Sequence, residues 1–252
     1  VTRLFQVGGI QAVGGMTFGT ESIPKVYKIL GPGNQYVTAA KQKATQYGVS
    51  IDMPAGPSEV LVAADDSAIA AYVAADLLSQ AEHGVDSQVV LVSTSKTFIE
   101  EVQKEIDGQL PALPRSEIAA KALQNSTAIF FEDQKNAIDF INQYGPEHYI
   151  ICMAEEDDFV NSVSNAGSVF IGNYTPESAG DYASGTNHTL PTNGYAKQYS
   201  GVNLDSFLKA ITFQKISPTG LKDLGPTIET LADAEGLFAH KNAVSLRLKD
   251  LS

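Results

Sequence analysis

Short apolar runs that are typical of β-strands alternate with amphipathic segments that are typical of helices along most of the chain. The clearest strand-like runs span residues 60–63, 88–92 and 149–153, and the clearest helix-like segments span residues 97–109 and 134–144. Such alternation is characteristic of a mostly parallel sheet with helices on both of its faces. We therefore predict an α/β fold.

Other segments give more specific predictions. We expect a strand at residues 4–7 and a helix at residues 67–83 that is stopped by Gly84. Residues 173–200 are rich in Gly, Ser, Thr, Asn and Pro and show no period, which predicts a long functional loop. Beyond residue 204 the pattern is entirely helical, with helices expected at residues 205–215, 227–238 and 241–251.

The composition excludes several classes of protein. The 17 Lys and Arg residues against 29 Asp and Glu residues give a formal net charge of −12, which argues against a nucleic-acid-binding protein. No apolar run approaches the roughly 18 residues that a membrane span needs, so we expect no membrane association. Cys152 is the single cysteine, which excludes an intrachain disulfide and favours a reducing, cytoplasmic location.

The four histidines are the most distinctive polar residues, because each lies close in sequence to a second polar side chain. The pair at positions 80 and 83 is spaced by three residues, so both side chains could lie on one face of a helix. The third histidine lies in the long polar loop and the fourth between two C-terminal helical segments. The four pairs are Gln80 with His83, Glu147 with His148, Asp181 with His188, and Glu235 with His240.

A metal site with nitrogen and oxygen ligands could be drawn from these residues. Zn²⁺ accepts His nitrogen and carboxylate oxygen where thiolates are absent, and a single cysteine excludes a Cys-based structural site. No HExxH or comparable spacing shows that the ligands converge. Taken one at a time, each histidine is better explained as a surface or structural residue.

Two further features have ordinary explanations on the residues alone. The GPGN turn at residues 31–34 precedes a helix and could bind a phosphate through helix N-terminal amides. It does not match GxGxxG because position 36 is Tyr36, so its glycines are explained by a tight turn. Cys152 lies in an apolar strand and is explained as a small buried hydrophobe better than as a nucleophile.

Taken together, six segments resemble histidinol dehydrogenase, and they occur in that family's order. The resemblance extends from about residue 4 to residue 251. The YAKQYSG segment at residues 195–201 resembles the fungal branch, in which this module ends a multifunctional histidine-biosynthesis polypeptide. The six segments are GPGNQYV at 31–37, DMPAGPSEV at 52–60, DLLSQAEHG at 76–84, GPEH at 145–148, PESAGDYASGTNH at 176–188 and AHKNAV at 239–244.

The resemblance implies an activity and its cofactors. The family oxidises L-histidinol to L-histidine through histidinal, in two hydride transfers to NAD at a zinc site, as the last step of histidine biosynthesis. The implied zinc ligands, which also contact substrate, are Gln80, His83, Asp181 and His240. Zinc would mainly orient the substrate's imidazole and amine rather than generate hydroxide.

The resemblance also assigns the remaining site residues. Glu147 and His148 resemble the acid–base pair: His148 would take protons in the hydride steps and bind substrate, and Glu147 would activate the water that adds to the aldehyde. A route through a thiohemiacetal would need a reactive cysteine, and Cys152 is badly placed for it. The other implied contacts are Ser58 and Glu235 to the substrate, and Gln11 and Asn34 to NAD.

The resemblance further implies a domain organisation. Residues 1–57 would form part of a Rossmann-like NAD-side domain, residues 58–202 a second Rossmann-like domain with the zinc and substrate site, and residues 203–252 a helical arm. The family is a homodimer with a swapped arm, so Glu235 and His240 would act in the neighbouring subunit. Because the chain opens VTRL without an initiator Met or a polar lead-in, and members of the family continue further upstream, we expect an N-terminally truncated chain with weak NAD binding.

Two other functions use the same residues. One is a metal-dependent hydrolase in which a zinc-bound water attacks the substrate. The other is a fragment that binds zinc or dimerises without activity. Formation of NADH from L-histidinol, before and after chelation, separates these hypotheses from the dehydrogenase.

Overall fold

The computed structural model describes residues 1–251, and these residues form two compact units. The first contains residues 1–207, and the second begins at Leu208. The division predicted at residues 57/58 and 202/203 into three domains remains a prediction. No helix within residues 1–251 is long and apolar enough to cross a lipid bilayer.

The first unit is organised around two parallel sheets. Its larger sheet has the order β5-β4-β3-β6-β7, with every neighbouring pair parallel. Its smaller sheet pairs β1 with β2. The strands are β1 (Lys28–Ile29), β2 (Ser50–Ile51), β3 (Glu59–Ala64), β4 (Gln88–Ser93), β5 (Thr127–Phe130), β6 (His148–Cys152) and β7 (Ser168–Ile171).

Helices cover both faces of the larger sheet. The central strand β3 is fully buried, and its alternate residues enter different cores because successive strand side chains point to opposite faces. Val60 and Val62 pack with α3, α4 and α5, whereas Leu61 and Ala63 pack with α6 and α7. The α/β prediction is confirmed. The helices of this unit are α1 (Gly9–Phe18), α2 (Gln35–Thr45), α3 (Ala70–Ala81), α4 (Lys96–Gln109), α5 (Ser116–Leu123), α6 (Gln134–Tyr144), α7 (Glu156–Asn161) and α8 (Glu177–Tyr182).

The second unit contains two helices, α9 (Pro218–Ala234) and α10 (Phe238–Asp250). The two helices pack closely at Gly225, where a Cβ atom would lie 2.7 Å from a methyl group of Leu248. Ser245 donates to Glu229 across the same contact. The prediction of a helical C-terminal region is therefore confirmed.

Several sequence predictions of local structure were wrong. Residues 4–7 form no strand, because no neighbouring strand among the described residues pairs with them. The helix expected at residues 205–215 is one 3₁₀ turn at Leu204–Phe207. The next helix begins only at Pro218, where Ser217 caps it and proline occupies its first position.

Two short helices were not predicted. Helix α5 has only eight residues and directly follows a proline-rich segment, which obscured its period. Helix α8 lies inside the segment expected to lack regular structure, and its six residues are too few to show a repeat. Helix α3 also ends at Ala81, two residues before His83.

Candidate active site

The candidate site lies at the amino ends of β3, the central strand of the larger sheet, and of its neighbour β6. Ligands of open parallel sheets usually bind at the carboxyl ends of the strands, so this placement departs from the common rule. A cavity of about 240 Å³ opens there. It is lined by Pro32, Gly33, Ala55, Gly56, Ser58, His83, Glu147, His148, Asp181, His188, Leu190 and Thr192.

His148 is the first residue of β6 and is held in one tautomer by the neighbouring strand. Its Nδ1 atom lies 3.1 Å from the backbone carbonyl oxygen of Glu59. Because a carbonyl oxygen only accepts, Nδ1 carries the proton and Nε2 carries the free lone pair. Within residues 1–251, this Nε2 is the one buried side-chain nitrogen or oxygen without a hydrogen-bond partner. Burial lowers the pKa of His148, which favours the neutral ring and keeps the Nε2 lone pair free to accept a proton.

Glu147 is anchored to the same residue of β3. The backbone N–H of Glu59 donates to Glu147 Oε2 at 2.9 Å. The distance from Glu147 Oε2 to His148 Nδ1 is 3.6 Å, which is too long for a hydrogen bond. Burial, together with the carboxylates of Glu59, Glu177 and Asp181, raises the pKa of Glu147 well above its ordinary value. The two side chains therefore lie side by side without a hydrogen bond between them, and burial disfavours the charged form of each.

Glu59 was not among the predicted site residues, yet it organises this edge. Its backbone N–H and carbonyl groups bind Glu147 and His148, as described above. Its own carboxylate accepts from the backbone N–H of Asn193 at 2.9 Å and from the hydroxyl of Tyr144 at 3.2 Å. Glu59 thus joins β3 to the loop that lines the cavity. Its position in the DMPAGPSEV segment was the only available signal.

Three predicted zinc ligands belong to this unit. Gln80 lies in the last turn of α3 and is fully buried, whereas His83 follows the helix and is exposed. Asp181 lies in α8 and is partly buried. His83 and Asp181 line the cavity beside His148. The Gln80 amide lies against a second residue of α8, the buried Glu177, which sequence reasoning also missed.

The side chains of Gln80, His83 and Asp181 are of types that can bind a metal cation. An amide oxygen, an imidazole and a carboxylate are oxygen and nitrogen ligands that zinc accepts. Carboxyl groups crowd this region, and burial together with Asp181 and Asp76 raises the pKa of Glu177 to about 8. A bound cation would offset that negative charge. No group of three His, Cys, Asp or Glu side chains placed to hold a metal occurs in the described part of the chain, and the set here has only two such residues besides the amide.

The GPGN turn lies at the mouth of the same cavity. Gly31 has φ +132°, a conformation that favours glycine. Its N–H donates to Asp52 Oδ2 at 2.7 Å, and its carbonyl accepts from Lys41 Nζ at 2.7 Å. Lys41 and Asp52 also form a buried ion pair. The turn is therefore fixed from both sides, with Pro32 and Gly33 lining the cavity.

The two predicted NAD contacts are exposed. Asn34 is the N-cap of α2, and its Oδ1 accepts from the N–H groups of Tyr36 and Val37 at 3.1 Å. Gln11 lies in α1. Neither residue lines the cavity, although Asn34 directly follows the two turn residues that do.

Comparison with known proteins gives the family. Residues 1–248 match the family described as Histidinol dehydrogenase. The chain belongs to the histidinol dehydrogenase family.

Individual relatives support this assignment. The histidinol dehydrogenase of Bacteroides thetaiotaomicron is 61% identical over 251 residues, which cover 100% of this chain and 59% of that protein. The histidine biosynthesis trifunctional protein of Saccharomyces cerevisiae is 54% identical over 255 residues, which cover 99% of this chain and 32% of that protein. The crystal structure of histidinol dehydrogenase from Elizabethkingia anophelis matches with a TM-score of 0.97 and 57% identity, covering 100% of this chain and 58% of that one.

The family resemblance is thus confirmed, and the fungal trifunctional protein is among the relatives. The bacterial relative is also closely similar, so the placement in the fungal branch stays a prediction. The chain spans 59% of the length of the Bacteroides histidinol dehydrogenase.

The remaining predicted residues of the histidinol dehydrogenase site lie in the second unit. Glu235 directly follows α9, and His240 lies in the first turn of α10; both side chains are exposed. His188, which the resemblance did not assign, is exposed and lines the cavity. Cys152 is buried at the far end of β6, and burial raises its pKa to about 12.

Proposed function

We propose that the protein containing this chain is a histidinol dehydrogenase that oxidises L-histidinol to L-histidine with zinc and NAD. The single observation that carries the proposal is the buried and unpartnered Nε2 of His148, a residue that lines one cavity together with Glu147, His83 and Asp181. An alcohol oxidation needs such a base, because the hydroxyl proton must leave as the hydride departs.

The acid–base pair would divide two tasks. His148 takes the hydroxyl proton at Nε2, while its Nδ1–H stays bonded to the Glu59 carbonyl and keeps the ring oriented. Glu147 then accepts a proton from the water that adds to histidinal, since a carboxylate with a raised pKa is a stronger base. The resulting diol supports the second oxidation, with His148 again accepting a proton.

Different residues would hold the two cofactors. Zinc, held by Gln80, His83 and Asp181 with His240, would orient the substrate's imidazole and amine. NAD would accept the hydrides, and the fixed GPGN turn with Asn34 and Gln11 would bind it. Ser58 lines the cavity and would contact substrate, and Glu235 suits the substrate's ammonium.

The assembly and location are also proposals. We infer a homodimer in which the C-terminal helical arm, with Glu235 and His240, completes the neighbouring subunit's site. We expect the protein to be cytoplasmic and to bind neither nucleic acid nor membrane.

The decisive experiment follows NADH absorbance. The purified full-length protein is mixed with NAD and L-histidinol, then assayed again after chelation and after Zn²⁺ is restored. We expect two NADH per histidinol, loss on chelation and recovery with Zn²⁺. Absence of NADH from a folded, zinc-loaded protein would overturn the proposal. Hydrolysis without NAD would favour the metal-dependent hydrolase, and zinc binding without any turnover would favour a non-catalytic role.

A further inference from the structure

The contact between Gln80 and Glu177 is not used by the proposed chemistry. Gln80 has no solvent exposure and Glu177 is 2% exposed. With the amide oriented by its hydrogen-bond partners, Gln80 Nε2 donates to both carboxylate oxygens of Glu177 at 3.0 Å. Two buried polar side chains are thus satisfied by one contact.

We propose that Glu177 is a positioning residue that orients the Gln80 amide so that its oxygen, not its nitrogen, is presented to the zinc ion. The inference rests on the proposed function, because it takes Gln80 as a ligand. An amide can rotate by 180° and exchange its two ends with almost no change of shape. Only the oxygen has a lone pair suited to a metal, and the NH₂ end offers two donors.

The carboxylate of Glu177 removes this ambiguity. In its ionised form, which a bound cation favours, Glu177 only accepts hydrogen bonds, so the NH₂ end of Gln80 faces it and the amide oxygen lies on the opposite side. The reversed orientation would place oxygen against oxygen in a buried environment, which costs a buried hydrogen bond and adds repulsion.

Helices α3 and α8 together provide the proposed zinc ligands of this unit. Helix α8 carries Glu177 and Asp181 four residues apart, and the end of α3 carries Gln80 with His83 three residues later. Helix α8 therefore supplies one proposed ligand of its own, Asp181, and orients another that comes from α3. Such outer contacts typically change metal affinity by about 10- to 100-fold when removed.

The test is Glu177→Gln, which keeps size and shape but offers Gln80 both a donor and an acceptor, so either amide orientation is satisfied. In the full-length protein, stripped of metal with a chelator, the Kd for Zn²⁺ is measured against a competing chromogenic chelator. We expect affinity to fall about 10- to 100-fold. The control is Asp76→Asn, which removes a neighbouring carboxylate without touching Gln80 and should change affinity by no more than about threefold. Circular dichroism of the metal-free proteins checks that both variants fold.

A reciprocal exchange distinguishes orientation from general loss of packing. Gln80→Glu alone places a carboxylate against Glu177 and should weaken Zn²⁺ binding, whereas the double variant Gln80→Glu/Glu177→Gln restores a donor–acceptor pair and should recover most of the affinity. The inference is overturned if Glu177→Gln binds Zn²⁺ as tightly as the parent, or if the double variant binds no better than Gln80→Glu. If the parent itself takes up no Zn²⁺, the proposed zinc site fails, and the role of Glu177 fails with it.

Discussion

The two edges of the five-stranded sheet differ in how their polar groups are satisfied. At the carboxyl edge, Asp65 follows β3, and its carboxylate accepts from the N–H groups of Ser67 and Ala154 at 2.9 Å. The Asp65 N–H in turn donates to the carbonyl of Cys152. At the amino edge, Glu59 binds both Glu147 and His148, but Nε2 of His148 is left without a partner.

The difference shows that strand order alone does not locate a site. Both edges lie at the junction of β3 and β6, where the chain order of the sheet changes direction. The carboxyl edge uses its polar groups to close its own turns. The amino edge uses the two backbone groups of Glu59 to hold two titratable side chains, and one buried acceptor, Nε2 of His148, has no protein partner within residues 1–251. The unpartnered Nε2 of His148, rather than the topology, is what distinguishes the amino edge from the carboxyl edge.

The largest effect is expected at the amino edge, from Glu147→Gln. This change keeps the size of the side chain and removes its basicity, so oxidation of histidinal should slow by about 10²- to 10⁴-fold. Oxidation of histidinol to histidinal should fall much less, because His148 serves that step. Single-turnover NADH formation with each substrate separates the two steps.

The matched control at the other edge is Asp65→Asn. It also converts a carboxylate to an amide beside the same two strands, but it should leave both rates unchanged and cost about 1 kcal/mol of stability. Equal slowing by both variants would show that the amino edge is not special.

The sequence was sufficient for the main elements of the fold. The β3 and β6 runs and the α4 and α6 segments have a long or strong period, and their type was predicted correctly. The prediction of a strand at residues 4–7 was wrong because a strand needs a neighbouring strand to pair with, which the local sequence does not specify. Helix α8 was not predicted because its six residues are too few to show a helical repeat of apolar positions.

The sequence predicted the residues that line the cavity but not the residues that hold them in position. Motif resemblance selected His83, His148 and Asp181, and the structure brings all three to one cavity. Glu59 was missed because its contribution to the acid–base pair is made by backbone atoms, which every residue type possesses. Glu177 was missed because its partner, Gln80, is distant in sequence. Contacts of this kind depend on tertiary structure and leave no local pattern.

The two ends of β7 give the next comparison. Gly167 precedes the strand at the amino edge, and a Cβ atom there would lie 2.5 Å from the backbone oxygen of Glu147. Gly167→Ala should therefore displace Glu147, cost about 1–3 kcal/mol and lower kcat about tenfold or more.

At the carboxyl end of β7, Gly172 has φ +85°, and a Cβ atom there would make only an ordinary contact, 3.9 Å from a carboxylate oxygen of Glu156. Gly172→Ala should cost about 1–2 kcal/mol through backbone strain with kcat unchanged. Denaturant unfolding and steady-state rates are measured for both variants. If the two substitutions reduced kcat equally, the link between Gly167 and the acid–base pair would be wrong.

A smaller effect is expected from Asp76, halfway along α3 between the two edges. Burial raises the pKa of Asp76 to about 6. Between its ordinary pKa and this raised value, Asp76 is protonated in the folded protein but ionised in the unfolded chain. The Asp76 contribution to stability therefore falls as pH rises from about 4 to about 6. Asp76→Asn does not titrate and should become more stable relative to the parent over that range, by on the order of 1 kcal/mol. Urea unfolding of the metal-free proteins at pH 4.5 and pH 7 measures this change. A difference that is independent of pH would contradict the raised pKa.

The smallest effect on catalysis is expected from Cys152→Ala. Cys152 is the last residue of the strand that begins at His148. Four residue-to-residue steps along a β-strand cover roughly 13 Å. The thiol is therefore far from His148. Burial also raises the pKa of the thiol to about 12, so it is not ionised at neutral pH. The variant should lose about 1 kcal/mol of stability through its lost packing and retain both oxidation steps. If a folded Cys152→Ala protein oxidised histidinol but not histidinal, the second step would run through a thiohemiacetal, and the carboxyl edge would have to take part in the reaction.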